Sequence, residues 1–116
     1  MPLFPILNIF KQGKDFLIGQ AMLNWFNTVK KHIGKMTNIK IDSENKNIEL
    51  DLELKGETSP LRIHIRNYRL ISESGETFIE LKDVTTSREW INALLADYPE
   101  PEKRRFKVPT AVKALL

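Results

Sequence analysis

The side chains best suited to catalysis lie on one polar face of a predicted sheet. Asp51 and His64 belong to two neighbouring predicted strands, and Thr85, Thr86 and Ser87 supply hydroxyl groups. A carboxylate, an imidazole and a hydroxyl are the groups of a nucleophilic triad. A flat, solvated sheet face nevertheless offers no pocket, no oxyanion donors and no desolvation. Enzymatic function therefore ranks below binding, and we expect no catalytic residue.

The histidines do not indicate a metal site. His64 is explained by a cross-strand ion pair with Asp51, and His32 by solvent and the dipole at the end of a predicted helix. Their spacing is not that of metal ligands. The chain has no cysteine, which is typical of a reducing compartment. We expect no metal ion and no cofactor.

The apolar start of the chain is the leading candidate for binding. It is predicted to use the following residues: Leu3, Phe4, Ile6, Leu7, Phe10, Lys11 and Lys14. Leu3, Ile6, Leu7 and Phe10 would share one face of a helix. These side chains could enter the protein's own core, meet a partner chain, or lie in a membrane surface, where apolar burial combines with attraction to anionic lipid.

A basic run near the other end of the chain is the second candidate. It consists of Lys103, Arg104, Arg105, Phe106 and Lys107. Four cations around one aromatic ring could contact phosphates of a nucleic acid or of an anionic lipid surface. The alternative is a solvated linker between Pro101 and Pro109, with the ring tucked onto the sheet.

The net charge of +3 conceals a strong partition along the chain. Residues 1–40 and 103–116 each carry a net charge of +5, whereas residues 41–60 carry −4 and residues 61–102 carry −3. Basic ends around an acidic middle favour an anionic partner or surface.

Residues 38–84 predict a four-stranded antiparallel meander, because apolar and polar residues alternate along them. Matching apolar side chains across strands places Ile41 opposite Ile48, Leu54 opposite Leu61, and Leu70 opposite Ile79. A two-residue turn is predicted at Ser74-Gly75. The apolar positions change from odd to even after Ile65, so a β-bulge is predicted near Arg66-Asn67.

Helices are predicted on both sides of the meander. Residues 14–34 carry an apolar stripe ending in a Gly34 cap, and residues 86–98 begin with a Thr86–Glu89 capping box. The apolar face of the second helix consists of Trp90, Ile91, Leu94, Leu95 and Tyr98. A short helix is predicted from Thr110 to Leu116, within a basic, proline-containing tail at 99–116.

The sequence thus predicts one α+β domain, 1–116, with an apolar segment at 1–13. Its two layers are a four-stranded antiparallel meander of order 1-2-3-4 and a cover of one long N-terminal helix and one C-terminal helix. The leading hypothesis is a non-enzymatic module that binds an anionic lipid surface or a hydrophobic ligand. A protein partner or a homodimer ranks second and nucleic acid third. No transmembrane span is expected, and the expected location is cytoplasmic, peripheral at the membrane.

Overall fold

The computed structural model describes residues 3–114, and it describes the side chains of all of these except 3–12, 101, 102 and 111. Within that range the helices are α1 (Leu3–Val29), α2 (Glu89–Ala96) and α3 (Thr110–Lys113). The strands are β1 (Gly34–Asp42), β2 (Asn47–Leu54), β3 (Leu61–Arg66), β4 (Arg69–Glu73), β5 (Glu76–Glu80), β6 (Asp83–Thr86) and β7 (Arg105–Lys107). A 3-10 turn spans Pro101–Arg104.

The predicted four-stranded antiparallel sheet is confirmed, with the order β1-β2-β3-β6 and with helices packed on it. The strand in its fourth position is β6, which pairs with β3, rather than the strand that follows Gly75. That strand is β5, which belongs with β4 and β7 to a second, three-stranded sheet of order β4-β5-β7. The 38–84 region therefore contributes strands to two sheets rather than to one.

The chain changes sheets where the bulge was predicted, and that prediction is wrong. β3 ends at Arg66, Asn67 takes a positive φ of 57°, and β4 starts at Arg69. The shift from odd to even apolar positions thus reflects a change of sheet. The register irregularity of the first sheet lies instead in β1, between Met36 and Asn38.

Two of the three predicted registers are confirmed. Ile41 lies opposite Ile48, and Leu70 lies opposite Ile79. The turn between β4 and β5 is also confirmed at Ser74 and Gly75, whose φ angles of 52° and 78° match the left-handed hairpin turn that follows the twist of the strands.

The predicted pairing of β2 with β3 is wrong by two residues. Leu52, not Leu54, lies opposite Leu61, and Asp51 lies opposite Arg62 rather than His64. A shift of two keeps every side chain on its own face and still sets acids against bases, so the alternation could not distinguish the two registers. Leu54 lies instead opposite Gly34 of β1.

Helix α1 begins earlier and ends earlier than predicted. It runs over 27 residues from Leu3 to Val29, and Gly34 starts β1 instead of capping the helix. The side chain of Asn27 fixes the reversal, because it accepts from Met36 N at 2.7 Å and donates to Met36 O at 3.0 Å. The backbone polar groups of Met36 are thereby satisfied at the edge of the sheet.

The predicted capping box at Thr86 is also wrong. α2 begins at Glu89, Arg88 is its N-cap residue, and Thr86 ends β6. The side chain of Asn92 accepts from Thr86 N at 2.8 Å and donates to Thr86 O at 3.0 Å. This amide bridge joins the helix to the edge strand, so Thr86 belongs to the sheet.

The core consists of three small clusters between the layers. Met36, Leu52 and Leu61 form one, with Phe26 and Leu23 of α1 packed against it. The second joins Ile18 to Val108 and Val112 of the C-terminal segment, and the third contains Ile48, Ile65 and Tyr68. Burial of Tyr68, helped by the negative charges of Asp15 and Asp42, raises the pKa of its hydroxyl.

We predict that Gly34→Ala destabilises the protein, because an added Cβ would lie 2.2 Å from Glu53 O of the facing strand. Relieving such an overlap between backbones costs about 1–3 kcal/mol. Urea unfolding followed by circular dichroism measures the change. Gly13→Ala is the matched control, since nothing lies within 4 Å of its added Cβ and alanine favours a helix. Equal unfolding midpoints for the two variants would contradict this role of Gly34.

Candidate functional site

Helix α1 has a packed side and an exposed side. On the packed side Ile18 is buried, and Asp15 Oδ2 accepts from Ser43 N at 3.0 Å. On the exposed side Lys14 is accessible, and 56% of Leu17 is exposed. Phe16 is exposed as well. The predicted membrane or partner segment therefore enters a helix that presents apolar residues to solvent in its described part.

The other residues predicted for this segment belong to α1 by their backbone. They are Leu3, Phe4, Ile6, Leu7, Phe10 and Lys11, and their side chains lie outside the described ones. The role predicted for these residues therefore stays a prediction.

The basic run at 103–107 contributes one end of the 3-10 turn and all of β7. Arg104 has a structural role, because its guanidinium donates hydrogen bonds to the carbonyl oxygens of Leu95, Tyr98 and Lys82. Two of these acceptors lie at the C-terminal end of α2 and just beyond it, where Leu95 O also accepts from Tyr98 N at 3.0 Å. The side chain of Arg104 thus holds the end of α2 against the connection between β5 and β6.

Arg105 is engaged by two acids of the second sheet. Its Nη2 lies 3.1 Å from Glu80 Oε2, and its Nη1 lies 3.2 Å from Glu73 Oε1. Glu80 is only 8% exposed and is also paired with Arg69 at 3.2 Å. The hydrogen bond to Glu80 raises the pKa of Arg105, and the negative charges of Glu73 and Glu80 raise it further. Two arginines thus neutralise one buried carboxylate, whose charge would otherwise be costly to bury.

The remaining members of the run are more open. Lys107 pairs with Glu76 at 2.9 Å, and Lys103 reaches Glu100 at 3.8 Å. Phe106 is exposed and does not tuck onto the sheet. The run therefore has an exposed aromatic ring, but its cations already have acceptors within the protein.

The polar face of the first sheet does not assemble the triad considered from the sequence. Arg62 Nε donates a hydrogen bond to Asp51 Oδ1 at 3.0 Å, and this hydrogen bond raises the pKa of Arg62. His64 lies opposite Glu49 and Thr85, with Nε2 3.8 Å from Glu49 Oε1. His32 is exposed in the turn after α1. Among the described residues, no three side chains are grouped as a metal site would require.

A surface that the sequence did not predict lies on α2 and continues to Tyr98, just beyond its end. Trp90, Leu94 and Tyr98 are 63%, 53% and 51% exposed, and no residue of α2 is buried. The side of α2 that meets the sheet carries Ile91, which packs against the cluster that contains Leu61, and Asn92, which bonds Thr86. The width of the apolar stripe could have indicated this surface from the sequence, since apolar residues around most of a helix indicate that it packs against more than one surface.

Comparisons of the chain with protein-family models, with curated proteins and with solved structures found no match. Within residues 3–114, no helix combines the length and apolar character needed to cross a bilayer.

We predict that Arg104→Gln lowers the free energy of unfolding by about 1–3 kcal/mol, because carbonyl groups lose their donor. Lys103→Gln is the control, since it removes one charge from an exposed side chain. That change should stay within about 0.5 kcal/mol. Thermal unfolding of both variants tests the contrast. Equal stabilities of the two variants would refute a structural role of Arg104.

Proposed function

We propose that the protein is a non-enzymatic binding module that meets an anionic membrane surface through the N-terminal half of α1. The observation that carries this proposal is the continuity of α1 from Leu3 to Val29, with Lys14 and Leu17 exposed on its described part. The apolar start of the chain is therefore the first part of α1, and the later part of the same helix has an exposed side that carries Lys14 and Leu17.

The helical repeat links the two parts. At about 100° per residue, the sequence places four apolar residues in one sector, namely Leu3, Ile6, Leu7 and Phe10. Lys14, Leu17, Asn24 and Thr28 fall in the same sector and are exposed, whereas Ala21 and Trp25 of that sector are partly buried. Phe26, which packs into the core, falls about a third of a turn away. This count favours a surface role for the N-terminal apolar residues over burial in the protein's own core.

The charges favour a lipid surface over a neutral apolar partner. Lys11 and Lys14 accompany the apolar residues, and residues 1–40 carry a net charge of +5. A basic amphipathic helix gains free energy from apolar burial at the interface and from attraction to anionic lipid. Lipid binding through this segment therefore has two additive contributions.

A protein partner is the second candidate, and the exposed stripe Trp90, Leu94 and Tyr98 favours it. Large apolar side chains spaced four residues apart are typical anchors of a helix that docks in a groove. Nucleic-acid binding ranks below both, because Arg104, Arg105 and Lys107 already have partners in the protein.

The test is co-sedimentation with vesicles of phosphatidylcholine alone and with added phosphatidylserine, at low and high salt. We expect the full chain to pellet with the anionic vesicles, and salt to weaken this binding. Leu17→Gln should weaken it about tenfold, since burying one leucine contributes roughly 1.5–3 kcal/mol. A chain lacking residues 1–12 should stay folded and unbound.

Val29→Gln is the matched control, because Val29 lies on the same helix and is 50% exposed. It should bind vesicles as the unmodified chain does. The membrane proposal fails if neither vesicle binds the full chain, or if the truncated chain unfolds. Light scattering on the same samples tests the second candidate, which predicts a mass that rises with protein concentration, or a complex lost on Trp90→Gln.

A further inference from the structure

A groove of about 650 Å³ lies where the turn after α1 passes the β2–β3 loop. Its walls come from the end of α1, the start of β1, the end of β2 and residues 55–60. This volume lies within the range of small-ligand sites. The groove opens at the far end of α1 from the apolar N-terminal segment: Asn27 in its wall lies about 25 Å along the helix axis from Phe10 and about 20 Å from Lys14.

Three lysines line this groove without a carboxylate partner. They are Lys31, Lys35 and Lys55. No ammonium group of the three lies within ion-pair distance of a carboxylate among the described residues. This holds even though Glu53 sits directly opposite Lys35 in the strand register. By contrast, Arg105 and Lys107 pair with acids of their own sheet. The groove thus carries three lysine charges that form no ion pair among the described residues, beside two glutamates, so that its lining has a net charge of +1.

The backbone around the groove is held in place from three sides. Asn27 bonds the backbone of Met36, and Lys55 N donates to Ile33 O at 3.0 Å. Ser59 at the outer wall accepts from Arg88 Nη2, at its carbonyl oxygen and its hydroxyl. A preformed scaffold reduces the entropy lost when a ligand binds.

The groove also contains acceptors. Glu53 and Glu57 carry carboxylates, and Thr58 carries a hydroxyl group. Lysine ammonium groups bind phosphate as point charges, whereas carboxylates and hydroxyls accept hydrogen bonds from ligand hydroxyl groups. The combination is suited to a ligand with a phosphate group at one end and several hydroxyl groups beside it.

We propose that this groove binds a phosphorylated polyol, with Lys31, Lys35 and Lys55 holding its phosphate and Glu53 and Glu57 orienting its hydroxyl groups. Such a ligand exists free in solution and as the headgroup of a phosphoinositide lipid. The site is separate from the apolar N-terminal segment, so it does not depend on the proposed membrane contact of that segment.

The first test is titration of the full chain with a soluble inositol trisphosphate, followed by calorimetry and by backbone amide shifts. Amide shifts should concentrate at residues 31–35 and 53–60. The triple variant Lys31→Gln, Lys35→Gln and Lys55→Gln should lose at least about tenfold in affinity, since three charge contacts are removed together. Its amide spectrum outside the groove should stay unchanged.

The matched control removes three positive charges from exposed side chains outside the groove. It is Lys40→Gln, Arg66→Gln and Lys82→Gln. This control should retain binding within about twofold, apart from the general screening of long-range charge. An equal loss in both triple variants would show nonspecific attraction and overturn the site, and so would the absence of binding or amide shifts centred on residues 103–107.

The second test distinguishes the two sources of the ligand. Phosphatidylcholine vesicles with and without a phosphoinositide are offered to the full chain and to the groove triple variant. A phosphoinositide-dependent increase that the triple variant loses identifies a lipid headgroup; binding of the soluble probe without that increase identifies a free ligand. Leu17→Gln should leave binding of the soluble probe unchanged, so failure of the membrane proposal and failure of the groove can be told apart.

Discussion

The junction between α1 and β1 is the constraint on which the rest of the molecule depends. Asn27 satisfies both backbone polar groups of Met36, and Gly34 allows β1 to run against β2 at a distance that no side chain would permit. These contacts fix where the helix ends and how it is rotated on the sheet. Gly19 faces Ile39 of β1, whose Cγ2 would make an ordinary contact of 3.4 Å with an added Cβ. Burial of one side of α1 then determines that Leu17 remains in solvent.

The sheet was predictable where one register is better than its neighbours. The β1–β2 pairing followed from Ile41 and Ile48, and the β4–β5 hairpin from Ser74-Gly75, because a single slip would expose apolar side chains. The β2–β3 pairing was not predictable, since a two-residue shift preserves every face and still sets two acids of β2 opposite bases of β3. In the observed register Leu54 has no partner in β3 and lies opposite Gly34 of β1.

The residue types of the candidate site were predictable from the sequence, but the residues that they contact in the structure were not. The sequence identifies Arg104 and Arg105 as cations near an aromatic ring. The same sequence would be expected for a basic patch whose cations have no partners within the protein. Whether an arginine is available depends on distant residues, here the carbonyl of Lys82 and the carboxylate of Glu80. No local pattern encodes those contacts. The exposed stripe of α2 was not predicted for a related reason. An apolar residue indicates burial, but it does not indicate whether the covering surface belongs to the same chain or to a partner.

The distribution of unpaired charge is therefore more informative than its total. The two basic ends of the chain have the same net charge, yet they differ in their contacts. In β7 the cations compensate acids of β4 and β5, and this compensation allows Glu80 to be buried. Around Gly34 the lysines have no such partner among the side chains that the structure describes, although acids lie in the facing strand. A charged side chain that is paired within the fold is not available to a ligand. A charged side chain that has no partner and is held on a rigid backbone can still bind one.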